Sequence, residues 1–261
     1  MNARRLDAVL DRIAALPTPP ALLIASGDLT ERGDAASYRR LRDTLSALPI
    51  PILYALGNHD NREAFASVFP EQSMPDGFLH YAVESGELRL LVLDTLEQGR
   101  HGGGFCEVRA RWLAERLDED PDRPTILVLH HPPIESGIGW LTTMPDEPWV
   151  RRLAGAIAGR RNLVALLCGH FHRSIAGRFE GLPVIVCPPT APWAALTLEP
   201  FDPDHPDGRP MVVDAPPGYA LHLWQEGRLV SHVDRAEPTE PLARFDATMQ
   251  PLVRRVINER P

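Results

Sequence analysis

The segment Leu56-Gly57-Asn58-His59-Asp60 places an amide, an imidazole and a carboxylate side by side, directly after the apolar residues 52–55. This order predicts a loop at the carboxyl end of a buried strand, where layered α/β folds collect their ligand-binding loops. Gly57 is expected to permit a backbone turn that is closed to other residues. Taken alone, the segment is more typical of a simple turn, because Asn and Asp are ordinary turn residues.

Three other predicted strands are followed by polar residues in the same way. Residues 21–26 lead into Gly27-Asp28, residues 125–129 into His130-His131-Pro132-Pro133, and residues 163–168 into Gly169-His170-Phe171-His172. A single histidine at a strand end is usually structural, but the i, i+2 spacing after a glycine predicts that two imidazoles face one locus. Oxygen and nitrogen donors together favour Mn, Fe, Zn or Co and disfavour calcium, which prefers oxygen ligands.

In this order the four motifs resemble those of the calcineurin-like metallophosphoesterases, within the branch of class III cyclic-nucleotide phosphodiesterases and glycerophosphodiesterases. The resemblance extends over residues 21–190 and implies a four-layer α/β/β/α sandwich of the metallophosphoesterase type. One family motif, an Asp-x-His on the first strand, does not occur in this sequence. We therefore expect the first strand to be missing from the chain, and a second metal to bind weakly or not at all.

The resemblance also implies the metal ligands. Asp28 would bridge two divalent ions, and Asn58, His130 and His170 would complete one coordination sphere. His172 would belong to the other sphere.

Groups that act on the substrate are implied in the same way. His59 would lie beside the phosphate and either neutralise charge or protonate the leaving oxygen, with Asp60 orienting it. Asn58 and His59 are expected to contact the substrate. His131 is expected to support its neighbours or face the substrate, because adjacent side chains of an extended segment do not easily reach one metal.

Other candidate residues have weaker support. His101 lies in the glycine-rich residues 98–104, from which it could swing toward a substrate. A solvated loop histidine is the favoured interpretation, since adjacent glycines fix no one position for it. Asp94 also ends a predicted strand and is expected to be structural. Four histidines lack any motif and are expected on the surface or in the core: His80, His205, His222 and His232.

The remaining sequence predicts one catalytic domain over residues 1–235 and a tail over residues 236–261. The tail carries an amphipathic helix that would dock on its own domain or on a partner subunit, as in a homodimer. Asp34 is expected to cap a helix. Residues 134–148 are expected to overhang the site, and residues 199–217, dense in Pro and Asp, to be irregular.

Composition excludes several classes of protein. With 261 residues, 44% of them hydrophobic, the chain can bury a large core. The net charge of −8 and the scattered basic residues disfavour nucleic-acid binding. Three cysteines are too few for a disulfide framework, and no apolar run is long enough for a signal peptide or a membrane span, so we expect a cytoplasmic protein.

Hydrolysis of a small phosphodiester by metal-bound hydroxide is the activity that the resemblance implies. Cyclic AMP is the favoured substrate, and a glycerophosphodiester is the alternative. A binding protein that kept the fold and lost turnover is a third possibility. We expect diesters to be preferred over monoesters, because residues 137–144 are neutral and apolar and no arginine cluster is evident.

Overall fold

The computed structural model describes residues 2–260. Its α-helices are α1 Asn2–Ala14, α2 Ala35–Leu45, α3 Arg62–Val68, α4 Glu107–Glu119, α5 Pro148–Ile157 and α6 Gln250–Asn258, with a short 3-10 helix at Pro75–Gly77. Its strands are β1 Leu23–Ala25, β2 Ile52–Tyr54, β3 Tyr81–Ser85, β4 Leu88–Leu93, β5 Thr125–Leu129, β6 Leu163–Cys168, β7 Ile175–Phe179, β8 Leu182–Val186, β9 Trp193–Ala194, β10 Val212–Val213, β11 Gly218–Gln225 and β12 Arg228–Arg235.

Six strands form the central sheet, in the order β3-β4-β5-β6-β8-β7. The four inner strands are parallel to one another, and an antiparallel strand lies at each edge. Three smaller pairs complete the strands: β1 with β2 in parallel, and β9 with β10 and β11 with β12 antiparallel. The parallel arrangement brings the carboxyl ends of β4, β5 and β6 to one edge of the sheet.

Successive residues of the central strands pack on opposite faces of the sheet. Leu91 and Leu127 lie in one cluster with Leu113 of α4 and Leu153 of α5. The next residue along β5, Val128, belongs instead to a cluster that contains β2 and residues of the β11–β12 hairpin. The central sheet is therefore covered by helices on one face and by other strands on the other.

The outer face of β1 and β2 is covered by the first three helices. Tyr54 of β2 packs with Leu10 of α1, Tyr38 of α2 and Phe65 of α3. The molecule therefore has four layers. Helices α1 to α3 cover β1 and β2, these strands and the β11–β12 hairpin pack on the central sheet, and helices α4 and α5 cover its other face. The predicted four-layer α/β/β/α sandwich is thus confirmed.

One local prediction is confirmed, and another is only partly correct. Asp34 caps α2 by accepting a hydrogen bond from Ser37 N at 2.8 Å. Residues 199–217 are not wholly irregular, because β10 pairs with β9. Within residues 250–258 no side chain is buried, so the structure does not show the surface that the apolar face of α6 would cover. Docking on a partner subunit stays a prediction.

None of the helices within residues 2–260 has the length and apolarity needed to cross a bilayer.

His80 is a buried histidine whose two ring nitrogens have no hydrogen-bond partner within the described chain. Its ring stacks on Trp112 at 4.4 Å between centroids. Burial lowers the pKa of His80, against the opposing charges of Asp94 and Asp76. Because the folded pKa lies below the unfolded value, this residue destabilises the fold as pH falls below about 6.5.

The His80→Phe variant is expected to keep the stacking while removing two unpaired polar atoms. Its free energy of unfolding should exceed that of the wild type by about 1 kcal/mol at pH 7.5. The difference should grow at pH 5.5, because only the wild-type ring takes up a proton on unfolding. Urea unfolding of both proteins at pH 7.5 and pH 5.5 measures the difference in free energy of unfolding. A smaller difference at pH 5.5 would contradict the lowered pKa of His80.

Candidate metal centre

The loops after β1, β2, β5 and β6 touch one another. The main-chain N–H of His59 donates to Asp28 Oδ1 at 2.9 Å, which joins the first two loops. Gly169 N donates to the main-chain oxygen of His130 at 3.0 Å, which joins the other two. The imidazole of His130 bridges the pairs, with Nδ1 2.8 Å from Ser26 O and Nε2 3.3 Å from Asp28 Oδ2. Four motifs far apart in sequence therefore form one site.

Glycines permit this close approach. A Cβ atom on Gly57 would lie 2.2 Å from Asp28 Oδ1 and 2.7 Å from His130 Cε1. Gly57 itself does not have a positive φ, so the conformational reason expected for it is wrong. Its role is steric: only a residue without Cβ lets the β2 loop lie against Asp28 and His130.

Three of the predicted ligands have left-handed backbone conformations that are unfavourable for residues other than glycine. The φ angles are 51° for Asp28, 68° for His170 and 47° for His172. Such a conformation costs about 1–2 kcal/mol per residue and is retained where surrounding structure or function requires it. The concentration of this strain at the motif loops points to a functional site.

The strain can be measured at position 172. Both His172→Gly and His172→Ala lose the imidazole, but only glycine adopts the left-handed conformation without cost. We expect the glycine variant to be the more stable of the two by about 1 kcal/mol in urea unfolding. Position 151, within α5, provides the control: Arg151→Gly should be less stable than Arg151→Ala there. Equal stabilities at position 172 would show that the strain is absent.

Three histidines form the centre of the site. Among residues 2–260, His130, His131 and His170 bring ligand nitrogens within 4.8 Å of one another, and all three residues are buried. Burial lowers the pKa of His170 and of His131 well below the ordinary value. At neutral pH both rings are therefore uncharged and keep a nitrogen lone pair for a metal.

Oxygen donors lie next to this group. Burial would raise the pKa of the Asp28 carboxyl, but its attraction to His130 holds that pKa well below its usual range. The Asn58 amide oxygen is buried and has no hydrogen-bond partner in the part of the chain that the structure describes. An amide oxygen left unpaired in the interior costs about 1–3 kcal/mol unless a ligand satisfies it.

His172 and His59 lie outside the three-histidine group. The Nδ1 atom of His172 is 2.8 Å from Pro192 O, which leaves Nε2 available. His59 is exposed, and its Nδ1 atom lies 3.3 Å from Glu31 O. The structure thus brings His130 and His170 together as predicted but keeps His172 apart from that group.

Asp60 has a different role from the one expected. Its buried carboxylate accepts hydrogen bonds from Gly57 N at 2.9 Å, Leu29 N at 3.1 Å and the Tyr38 hydroxyl at 2.8 Å. Burial raises the pKa of this carboxyl to about 6, although these donors oppose the increase. Asp60 therefore fixes the backbone of the loop, rather than orienting the His59 ring.

Two residues at the end of β4 support the site. Asp94 was predicted from the sequence, and Thr95 was not. Asp94 is fully buried and receives two hydrogen bonds from Arg62, each of 2.8 Å, which agrees with the structural role predicted for it. The next residue, Thr95, lies with Oγ1 2.9 Å from His131 Nδ1. The signal in the sequence was a polar residue at the carboxyl end of the strand next to β5.

His101 was expected to be a solvated loop residue, and its side chain is exposed. Its ring nevertheless lies 4.9 Å from the ring of His170, between centroids. The loop is held there because Gly103 packs against His131 and Trp149. His101 therefore lies beside His170, which agrees with the less favoured interpretation of this residue, that it could reach toward a substrate.

The residues present fit a divalent transition metal. The buried Asn58 Oδ1 atom has no hydrogen-bond partner in the described chain, and His130 Nε2 lies 3.3 Å from Asp28 Oδ2. With a neutral His170, these groups form a mixed oxygen and nitrogen donor set. Such donors match the preferences of borderline ions.

Comparisons with known proteins agree with this geometry. A family model described as calcineurin-like phosphoesterase matches residues 1–174. A probable cyclic nucleotide phosphodiesterase of Rhodopseudomonas palustris is 33% identical over 238 residues, covering 88% of this chain and 83% of that protein. A probable glycerophosphodiester phosphodiesterase of Arcobacter nitrofigilis is 30% identical over 213 residues, covering 81% of this chain and 76% of that protein.

A solved structure supports the fold independently. The dimetal phosphatase from Danio rerio superimposes with a TM-score of 0.60 at 14% identity, covering 90% of this chain and 85% of that one. At that identity the similarity concerns the fold alone. Together with the family model and the sequence relatives, it establishes that the chain belongs to the calcineurin-like phosphoesterase family.

Proposed function

We propose that this chain is a metal-dependent hydrolase of a small phosphodiester, with 3',5'-cyclic AMP favoured and a glycerophosphodiester as the alternative. The observation that carries the proposal is the buried donor set that the four motif loops bring together, in which Asn58 Oδ1 has no hydrogen-bond partner among residues 2–260. The names of the two sequence relatives support the diester class, one being a probable cyclic nucleotide phosphodiesterase and the other a probable glycerophosphodiester phosphodiesterase.

In this proposal one ion is held by Asp28, Asn58, His130 and His170, and Asp28 also contributes with His172 to a second position. Manganese, iron, zinc and cobalt are the candidate ions, because the donors mix oxygen and imidazole nitrogen. A bound divalent ion supplies Lewis acidity and neutralises charge at the phosphoryl oxygens. The short Asp28–His130 approach of 3.3 Å keeps the carboxylate ionised and available for it.

His59 is proposed to act on the substrate rather than on the metal. Its main chain is fixed by the hydrogen bond to Asp28, while its ring is exposed at the surface of the site. An exposed imidazole next to the metal ligands can donate a proton to the leaving oxygen. Asp60 contributes indirectly, because it holds Gly57 and Leu29 in the loops that present His59 and Asp28.

A preference for diesters over monoesters is supported by three arginines near the site, Arg62, Arg109 and Arg173, whose guanidinium groups contact other protein groups. Arg62 is paired with Asp94, and Arg109 donates to the main-chain oxygens of Asp94 and Leu96. Arg173 donates to Ala194 O and lies over the ring of Trp193. Each guanidinium is already engaged with protein groups, whereas a monoester dianion requires an additional cationic partner.

We expect kcat/KM for cyclic AMP to exceed that for AMP by about tenfold or more. This ratio corresponds to one charge-assisted hydrogen bond that the AMP dianion needs and does not find in the site. Both substrates are compared with the manganese-loaded protein, and bis-p-nitrophenyl phosphate provides a generic diester. Faster phosphate release from AMP would indicate a phosphomonoesterase. Metal binding without turnover of any diester would indicate a binding protein with this fold.

A further inference from the structure

We propose that His131 is itself a metal ligand, binding through Nε2 and forming a three-imidazole site with His130 and His170. This inference rests on the proposed function, since the same locus holds the ion, but it adds a ligand that the family motifs do not assign. It also replaces the supporting or substrate-facing role expected for this residue.

The distances place His131 among the ligands. Its ring lies 4.6 Å from that of His170 and 4.8 Å from that of His130, between centroids. One nitrogen of each ring lies within 4.8 Å of the others. The three imidazoles would hold a divalent ion together, since uncharged imidazole nitrogen is a common ligand of such ions. The His131 side chain is completely buried, so solvent does not compete for its lone pair.

The hydrogen bond on the other side of the ring has the pattern of a metal-binding histidine. Nδ1 lies 2.9 Å from Thr95 Oγ1, while Nε2 is buried and has no hydrogen-bond partner in residues 2–260. In metal sites, the nitrogen that is not bound to the ion commonly donates to such a fixed acceptor, which sets the tautomer and orientation of the ring. Thr95 is fully buried and follows Asp94, which Arg62 fixes by two hydrogen bonds.

The adjacency of His130 and His131 does not prevent both from reaching one ion. Strand β5 ends at Leu129, and the chain bends at His130 instead of continuing in an extended conformation. The two rings are nearly perpendicular, at 89°, and both face the ring of His170. The competing role for the His131 ring is donation to the main-chain oxygen of His101, which would make His131 a support for the loop of residues 98–104.

Metal-free full-length protein titrated with cobalt distinguishes these roles, because the visible absorption of cobalt reports its ligands. His131→Ala is expected to lower cobalt affinity more than about tenfold and to change the visible spectrum. Thr95→Val, which removes only the hydroxyl, should weaken binding by about tenfold with a spectrum closer to that of the wild type. The matched control is His205→Ala, which removes an exposed histidine outside the four motifs and should leave both the cobalt affinity and the spectrum unchanged.

Replacement of the imidazole by a thiolate gives a direct test that does not depend on turnover. If residue 131 binds the ion, His131→Cys with cobalt should show a near-ultraviolet sulfur-to-metal absorption band that is absent from the wild type. The wild type controls for Cys106, Cys168 and Cys187. Circular dichroism confirms that each variant is folded, and His131→Asn replaces the alanine variant if that one is not.

The outcomes separate the inference from the proposed function. Wild-type binding with unchanged affinity and spectrum in His131→Ala would overturn the inference alone. Weaker binding with an unchanged spectrum and no sulfur band in His131→Cys would also overturn it, because His131 would then act through its neighbours. Absence of cobalt binding by the wild type would overturn both the inference and the proposed function.

Discussion

His170→Ala is expected to abolish measurable metal binding and to reduce diester turnover by more than about 100-fold, since even the outer partners of ligands contribute 10- to 100-fold. His170 is buried, uncharged at neutral pH, and in contact with the rings of His130 and His131. The substitution removes a proposed ligand from the centre of the group. Calorimetric titration with manganese and zinc measures the loss.

The control for this variant is His205→Ala. His205 is an exposed histidine within residues 199–217, and its Nδ1 atom lies 2.7 Å from Asp202 Oδ2. The His205→Ala variant should bind metal with wild-type affinity. His170→Ala should remain folded by circular dichroism, because His170 has no role in the hydrophobic clusters. Unchanged metal affinity in folded His170→Ala would remove the central claim about this site.

Much of the fold could be predicted from hydrophobic patterns because the central strands are buried on both faces. The bounds predicted for β5 and β6 agree with the structure, since each is a continuous apolar run ended by the polar residues of a motif. The same arrangement predicted that the motif loops would meet. Neighbouring parallel strands bring their loops to the same end of the pair, as β1 and β2 do in one sheet and β5 and β6 in another.

The contacts within the site could not be predicted, because they depend on side-chain direction and on neighbours distant in sequence. His131 was separated from the ligands on the assumption of an extended backbone, but the chain bends at His130. Asp60 was assigned to the adjacent imidazole, but its oxygens are used by Tyr38 from α2 and by two main-chain donors. No local pattern records these partners.

The surface that the tail covers could not be predicted from the sequence either. An apolar face on a helix predicts burial against some surface, but it does not identify the surface. Leu242 and Phe245 are 99% and 74% exposed, so residues that share the predicted face do not cover this domain.

The second large effect concerns Gly57, where a single added methyl group would displace two predicted ligands. In Gly57→Ala the new Cβ would lie 2.2 Å from Asp28 Oδ1, 2.5 Å from Asp28 N and 2.7 Å from His130 Cε1. Two of these atoms cannot move without shifting the β1 loop or the His130 ring. We expect the free energy of unfolding to fall by about 2 kcal/mol, a typical cost of overpacking, and metal affinity to fall by about tenfold or more.

Gly155→Ala is the matched control for that substitution. Gly155 lies within α5, where an added Cβ would have no atom within 4 Å. Alanine is the better helix former, so this variant should be more stable than the wild type by about 0.5–1 kcal/mol, with unchanged metal affinity. Urea unfolding and calorimetric metal titration are applied to both variants. If Gly57→Ala binds metal as tightly as Gly155→Ala, the close approach of the β2 loop to Asp28 and His130 is not needed for the site. The strict packing inferred for this glycine would then be wrong.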